Sequence, residues 1–500
     1  MKIRKIYYLL LSLVLTVGCE DAIDINQPGR LDADRAFQTV EDLSLGLNGV
    51  YDGVDLTPEI LFNAIFTDEL AIGIENGGQQ IGLYSLVLNP SSAITNNFWT
   101  RNYDLLNAAN RLIEAGDIVE AADAAEQSLK DEILGQAYFL RAWGHFELLS
   151  YYSTDYADDS ALAAILVDFV PTIDQLLLRS TNADFYELIE NDLDLAESLL
   201  SDDTSDPTTI NKDVIDAFRA RVAAYRGPAH YAEAAGYAQE LLNKYPLATR
   251  AQYQGIFQDV DNTEVIFKLE RTIGDNYDNQ GTGGTAGGHA GGIFSFSAAT
   301  RTGGAFLEVG RSLFNALDPD DIRYDVLVAP DSDIDPDYEV NNNPTLDVLV
   351  VYKYPGSEGV TNMNDLKVFR SAEMLLILAE AWVEIGDLNG ATNSVAALIK
   401  QLRDARFGTD TALPVFANKT EAYGAILDER RFEFAFEGHR WKDLKRMGLR
   451  GNRQVSRDAI DCAIVNQCSL SPDNYRFTFP IPQIEFNANP DLRTQQNPGY

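Results

Sequence analysis

The sequence predicts a mainly α protein, a tetratricopeptide-like scaffold of helix pairs that carries long irregular loops. Three observations predict it. Apolar residues recur at three and four residues along the longest patterned stretches, the period of a helix with one buried face. Those stretches come as neighbouring pairs with short joints, such as Gly227-Pro228 and Gly386-Asp387. Small residues, Ala217, Ala220, Ala223 and Ala224, stand where two helices must approach closely. No clean repeat of about 34 residues is visible, so a general helical bundle is the alternative.

The chain opens with an export signal. Lys2, Arg4 and Lys5 form a basic start, and Ile6 to Val17 are nearly all apolar, a run too short to span a bilayer, which needs roughly 20 residues. Leu15-Thr16-Val17-Gly18-Cys19 resembles a bacterial lipobox, with Thr16 where such signals usually place Leu. Residues 1–18 are therefore expected to be removed, and Cys19 to carry lipid and begin a tether over 19–30. Cysteine arithmetic agrees. Of the three cysteines, lipidation of Cys19 leaves Cys462 and Cys468 to close a short disulfide in an oxidising compartment.

Helical stripes follow. Tyr138, Phe139, Ala142, Trp143, Phe146 and Leu149 share one face, as do Met374, Leu375, Ile377, Leu378, Ala381 and Trp382 up to the Gly386 stop. Similar patterns cover Phe185–Leu200, Val214–Tyr225 and Tyr231–Leu242, and Val265–Leu269 reads as a strand. In Glu429–Gly448, Phe432, Ala435 and Phe436 make an apolar face, Arg430 and Glu433 are spaced to pair, and Gly438 ends the turn before a second amphipathic piece.

Three irregular stretches are long enough to need a purpose. Residues Glu69–Phe98 are polar and turn-rich around Gly77-Gly78. Residues Thr272–Gly304 contain Gly281–Gly292, in which seven of twelve residues are glycine. Residues Ala329–Pro344 are rich in Asp, Asn and Pro.

Several chemistries are disfavoured. With 76 acidic against 39 basic residues the formal charge is −37, unsuited to nucleic acid, which needs clustered Lys and Arg. Gly281-x-Gly283-x-x-Ala286 imitates a dinucleotide fingerprint, but the expected strand ends too early and glycine continues where a helix should start. Asp331-x-Asp333-x-Asp335-Pro336-Asp337 imitates a calcium loop, yet proline holds the sixth position and Asn342 the twelfth. No metal or cofactor is expected. The nucleophile-elbow, zinc-protease and phosphate-loop patterns are missing, so no catalytic residues are assigned and the chain is not read as an enzyme.

The segment Glu429-Arg-Arg-Phe-Glu-Phe-Ala-Phe-Glu-Gly-His-Arg-Trp-Lys-Asp-Leu-Lys-Arg-Met-Gly448 closely resembles the signature of the SusD/RagB family, surface glycan- and peptide-binding lipoproteins of Bacteroidetes. Arg370-Ser-Ala-Glu-Met-Leu-Leu-Ile-Leu-Ala-Glu-Ala381 and Phe479-Pro-Ile-Pro…Asn489-Pro…Gln496-Asn-Pro-Gly-Tyr500 agree with it. Trp99-x3-Tyr103-x6-Asn110 and Ala137-Tyr-Phe-Leu-Arg-Ala142 match more loosely, and Glu20-Asp21 resembles a surface-export tag. The resemblance implies a single SusD-like domain over 31–500, with an N-terminal part to about 270 and a C-terminal part from about 271. It implies a non-catalytic, lipid-anchored outer-membrane protein that binds oligosaccharide and delivers it to a SusC-like TonB-dependent transporter. The acidic field favours a neutral glycan over a uronate or sulfate. A RagB-like peptide binder, a tetratricopeptide scaffold without a small ligand, and a surface glycosidase are the rival readings.

The family motifs read as structural, so the ligand site is expected in the loops. Tyr84, Tyr277, Phe294 and Phe296 are the candidate stacking rings, with Trp99 at the start of a helix after the first loop. Asp68, Asn76, Gln79, Asn276, His289 and Arg301 are the candidate polar partners.

Overall fold

The computed structural model describes residues 36–172, 174–272, 290–297 and 300–500. The principal helices in chain order are α1 (Val40–Asp52), α2 (Thr57–Ile65), α3 (Ala93–Ile118), α4 (Ala124–Tyr152), α5 (Asn182–Leu199), α6 (Lys212–Arg226), α7 (Tyr231–Lys244), α8 (Arg250–Phe257), α9 (Ser371–Ile385), α10 (Val395–Phe407), α11 (Lys419–Glu433) and α12 (Arg440–Met447). Short antiparallel strands pair two by two: β1 (Leu70–Ile72) with β5 (Leu307–Val309), β2 (Val265–Leu269) with β6 (Leu366–Arg370), β3 (Ser295–Ser297) with β4 (Thr300–Ala305), and β7 (Val455–Ser456) with β8 (Ser469–Leu470). The protein is mainly α, and the helical stripes expected from the periodicity lie in helices, except that Ala435 and Phe436 fall in the turn that follows the end of α11 at Glu433. Among the described residues no helix is long and apolar enough to cross a membrane.

Local chemistry sets the helix ends. Asp123 caps α4 through the amides of Ala125 and Glu126, and Thr181 and Asp184 form a reciprocal capping box on α5. Gly227, at φ 86°, turns the chain out of α6 and into α7, a conformation that glycine adopts without strain. The two helices then lie side by side, α7 packs on α9, and α9 on α10 and α11. Ala217, Ala220, Ala223 and Ala224 are buried on α6, as close approach requires.

The resemblance-bearing motifs meet in the core. Trp441 of α12 stacks on Tyr151 of α4 with centroids 5.4 Å apart, and Phe62 of α2 meets Trp441 at 5.5 Å and Phe479 at 4.7 Å. Burying rings such as Phe62 and Phe479 stabilises by roughly 1.5–3 kcal/mol each. One apolar cluster therefore runs from Val40 to Leu492, tying both halves of the chain together.

One expected pairing is overturned. Glu433 does not meet Arg430; it accepts from Arg370 (2.8 Å) and Arg406 (2.9 Å), while Arg430 donates to Asp443 (2.7 Å). Two partners brought by the fold outcompete the local one, because Arg406 forks onto this fully buried carboxylate and Arg370 adds a further charged hydrogen bond to it. Glu264 joins the same knot, 3.1 Å from Arg370 and 2.7 Å from Arg406.

Candidate functional site

The β1–β5 pair forms one wall of a cavity of about 630 Å³. Leu70, Ala71 and Ile72 face Val309, Glu308 and Leu307 in register, and the chain then turns at Gly73. A Cβ there would stand 2.2 Å from the Ala305 carbonyl oxygen, so only glycine lets this wall close. The remaining sides come from the Asn76–Gly78 turn, the Tyr338–Asp347 segment, and Ile460–Ile464. The last of these is held by the disulfide joining Cys462 and Cys468.

Arg311 organises the floor. Its guanidinium forks onto Asp347 at 2.5 and 2.9 Å and lies over the Tyr338 ring, 3.9 Å from the centroid. The Tyr338 hydroxyl accepts from Asn315 Nδ2 (3.0 Å) and donates to Asp458 (3.2 Å), so a half-buried ring is fixed on the cavity lining with one face braced by the cation. Glu308 and Asp461 complete the lining. Burial pushes the Glu308 carboxyl up to about 8, against hydrogen bonds from the Leu349 and Ile74 amides. Burial likewise lifts Asp461 to about 7, although its Oδ2 accepts from the Arg311 amide at 2.7 Å. Near neutrality these groups are poised between acceptor and donor.

The sequence-derived candidates divide. Asn76 lines the cavity, its Nδ2 donating to the Phe306 carbonyl (3.2 Å), and Gln79 stands exposed on the same loop. Asp68 is 1 % exposed and held by Arg440 at 2.9 Å; burial alone would raise its carboxyl, but Arg431 and Arg440 outweigh that and hold it at about 2. Tyr84 is fully buried under the Arg457 guanidinium and donates to the Asp461 carbonyl (3.1 Å), so it braces the wall rather than offering a free ring. Trp99 lies inside α3, 1 % exposed, against Tyr103 and Tyr152. Phe294 is buried between Tyr354 and Phe436. These three rings were expected near loops, and apolar packing claims them instead. Asn276, Tyr277 and His289 lie outside the described residues, as does Cys19, and the side chains of Phe296 and Arg301 lie outside the described side chains.

Sequence reasoning passed over Tyr338, Arg311, Glu308, Asp347 and Asp461. A signal for Tyr338 was present, a lone ring in the acidic stretch already marked as irregular; Glu308 and Arg311 sit at a strand end that no periodicity exposes.

Residues 336–500 match the family described as SusD family, and residues 38–225 match one described as starch-binding associating with outer membrane. SusD-like protein P2 of Formosa agariphila is 25% identical, with 100% of both chains covered. The fold resembles a SusD superfamily protein from Bacteroides thetaiotaomicron (TM-score 0.73, 22% identity, covering 92% of this chain and 100% of the other). It also resembles surface glycan-binding protein A from Bacteroides fluxus (TM-score 0.71, 19% identity, covering 93% and 100%).

Proposed function

The chain belongs to the SusD family, and on that premise we propose that it captures a neutral oligosaccharide in the loop cavity without breaking any bond. The observation that carries this reading is the Tyr338 ring, braced from one side by Arg311 and surrounded by hydrogen-bonding groups of both kinds. An apolar ring face with polar neighbours suits a sugar, whose C–H face stacks while its hydroxyls donate and accept. Among the described residues the one lining guanidinium, Arg311, is already engaged by Asp347, so a uronate would find no free cation there, while Glu308 and Asp461 can donate to or accept from a sugar hydroxyl. Asn76 is retained as a ligand group, with Gln79, Tyr277, Phe296, Asn276, His289 and Arg301 as further contacts from the neighbouring loops.

Binding without turnover agrees with the carboxylates. The adjacent pair Asp68 and Glu69, with pKa values near 2 and 8, has the split that acid–base chemistry uses, yet each is only 1 % exposed. Such a pair has no access to a glycosidic bond.

The same reading places the mature chain at the outer-membrane surface, lipid-anchored through Cys19, as the ligand-gathering partner of a TonB-dependent transporter. Exposed Ile74 and Ile464 on the cavity lining, with exposed Val340 and Leu346 in the Tyr338–Asp347 segment, suit a covering protein surface. Titration calorimetry against a panel of neutral oligosaccharides tests the central step: a cognate glycan should bind in the micromolar to millimolar range expected of a shallow site, roughly. Tyr338→Ala should weaken it about tenfold, the loss expected when a ring contact worth about 1.4 kcal/mol is removed. Unchanged affinity in that variant, or binding confined to a peptide library, would remove the proposal.

A further inference from the structure

A second cavity, of about 580 Å³, lies away from the loops, between α6, α7, α9, α12 and the segment carrying Tyr475. Its chemistry is the reverse of the first. The stretch Arg440–Arg450 carries five other-than-acidic charged side chains, all cationic, in a chain of net charge −37. Three have buried carboxylate partners: Arg440 with Asp68, Lys442 with Glu59 and Glu147, and Arg446 with Glu380 and Asp443. The other two, Lys445 and Arg450, line the cavity and have none within 4.0 Å among the described residues. Lys445 donates to the carbonyls of Ser150 (3.1 Å) and Ser153 (2.6 Å) at the end of α4, and Arg450 donates to the Tyr231 hydroxyl (3.0 Å).

The carboxylates that share the lining act on these charges from a distance but do not pair with them. Glu380 is taken by Arg446 and Tyr231, and Asp155 and Asp473 are exposed, where solvent screens them. Arg450 supplies the permanent charge of the site; burial holds the Lys445 ammonium well below the usual lysine range, with Asp155 acting against it, and a carboxylate beside it would favour the protonated form. The acidic rim disfavours a dianion. A planar carboxylate matches the forked donors of arginine, and the half-open Tyr475 ring offers contact to the rest of a small organic molecule.

We propose that this helical cavity is a second ligand site, which takes a small organic monocarboxylate on Arg450 and Lys445. The proposal stands independently of the glycan reading of the loop cavity. Two natural sources share the chemistry, a sugar acid and a peptide C-terminus, and glucuronate and N-acetyl-glycylglycine serve as their probes.

Calorimetry on the full mature chain, with sulfate as competitor, tests it. Saturable binding of at least one probe is expected, weakened roughly tenfold by Arg450→Gln and by less than that in Arg450→Lys, which keeps the charge but loses the fork. Leu449→Trp, at a rim position 64% exposed, should also weaken binding while leaving the fold intact. Tyr338→Ala should leave it unchanged. Binding of glucuronate alone identifies a sugar-acid site, and binding of the dipeptide alone a peptide-terminus site. The proposal is overturned if neither probe binds, if folded Arg450→Gln and Leu449→Trp bind as wild type does, or if sulfate competes as well as the probes.

Discussion

The helical frame and the loop face of this molecule treat buried carboxylates in opposite ways. In the frame, burial alone would raise Glu433, but Arg406 and Arg370 outweigh it and hold its carboxyl well below the usual range. On the loop face, burial outweighs the Leu349 and Ile74 amides at Glu308 and the Arg311 amide and guanidinium at Asp461, and both carboxyls are pushed up, to about 8 and about 7. The two carboxylate environments differ in purpose. In the Glu433 knot paired charges fix helices to one another, whereas Glu308 and Asp461 line a cavity in which a ligand can meet them. The helical cavity repeats the second pattern with the sign reversed, through Lys445.

The contrast breaks most visibly at Glu433. Glu433→Gln leaves Arg370 and Arg406 buried without their shared partner, and breaking such a knot costs about 3–5 kcal/mol. Urea unfolding should show this as a lower midpoint; a change below about 1 kcal/mol would mean that the frame does not depend on paired charge.

The next effect is smaller and sits in the loop face. Cys462→Ser with Cys468→Ser opens the wall that carries Asp461, at a chain-entropy cost of about 2 kcal/mol for so short a loop. Glycan affinity should fall with it, because Tyr84 and the Arg311 amide then lose a fixed partner in Asp461. Loss of stability with undiminished affinity would separate that wall from the site.

The smallest effect sharpens the comparison through pH. The folded pKa of Glu308, about 8, lies above its ordinary value of 4.5, so between those values the folded state holds a proton that the unfolded chain has released. Stability contributed by the neutral form is therefore full below the ordinary value and is lost as pH rises towards 8. Glu308→Gln should flatten the stability–pH slope over that window by about one proton, measured as unfolding midpoints across buffers. Glu433 works in the other direction, its contribution present above the ordinary carboxylate range and lost in acid.

The frame was legible in the sequence because helices announce themselves locally. The stripes at Gln136–Ser150 and Arg370–Glu384 emerged as parts of α4 and α9, since burying one face every three or four residues leaves a pattern that needs no knowledge of the partner. The Arg430–Glu433 expectation failed for the converse reason: spacing permits a pair, and only the fold decides which arginine arrives first. The site was legible as a region rather than as residues. Glycine at 77 and 78 and the Asp-rich stretch before Pro344 pointed to loops that do meet at one cavity, and Asn76 lines it. The rings were misjudged because an isolated Tyr or Phe in an irregular stretch looks alike whether it faces solvent or core. Tyr84 and Phe294 were drawn inward, and Tyr338 was kept at the lining by a cation more than twenty residues away in sequence.

The central claim is that the loop cavity, and not the helical one, holds the neutral sugar. Titrating one cognate neutral oligosaccharide into Tyr338→Ala and Arg450→Gln side by side tests it most directly. The account predicts a loss of about tenfold in the first and no change in the second; equal losses in both, or a loss only in Arg450→Gln, would contradict it.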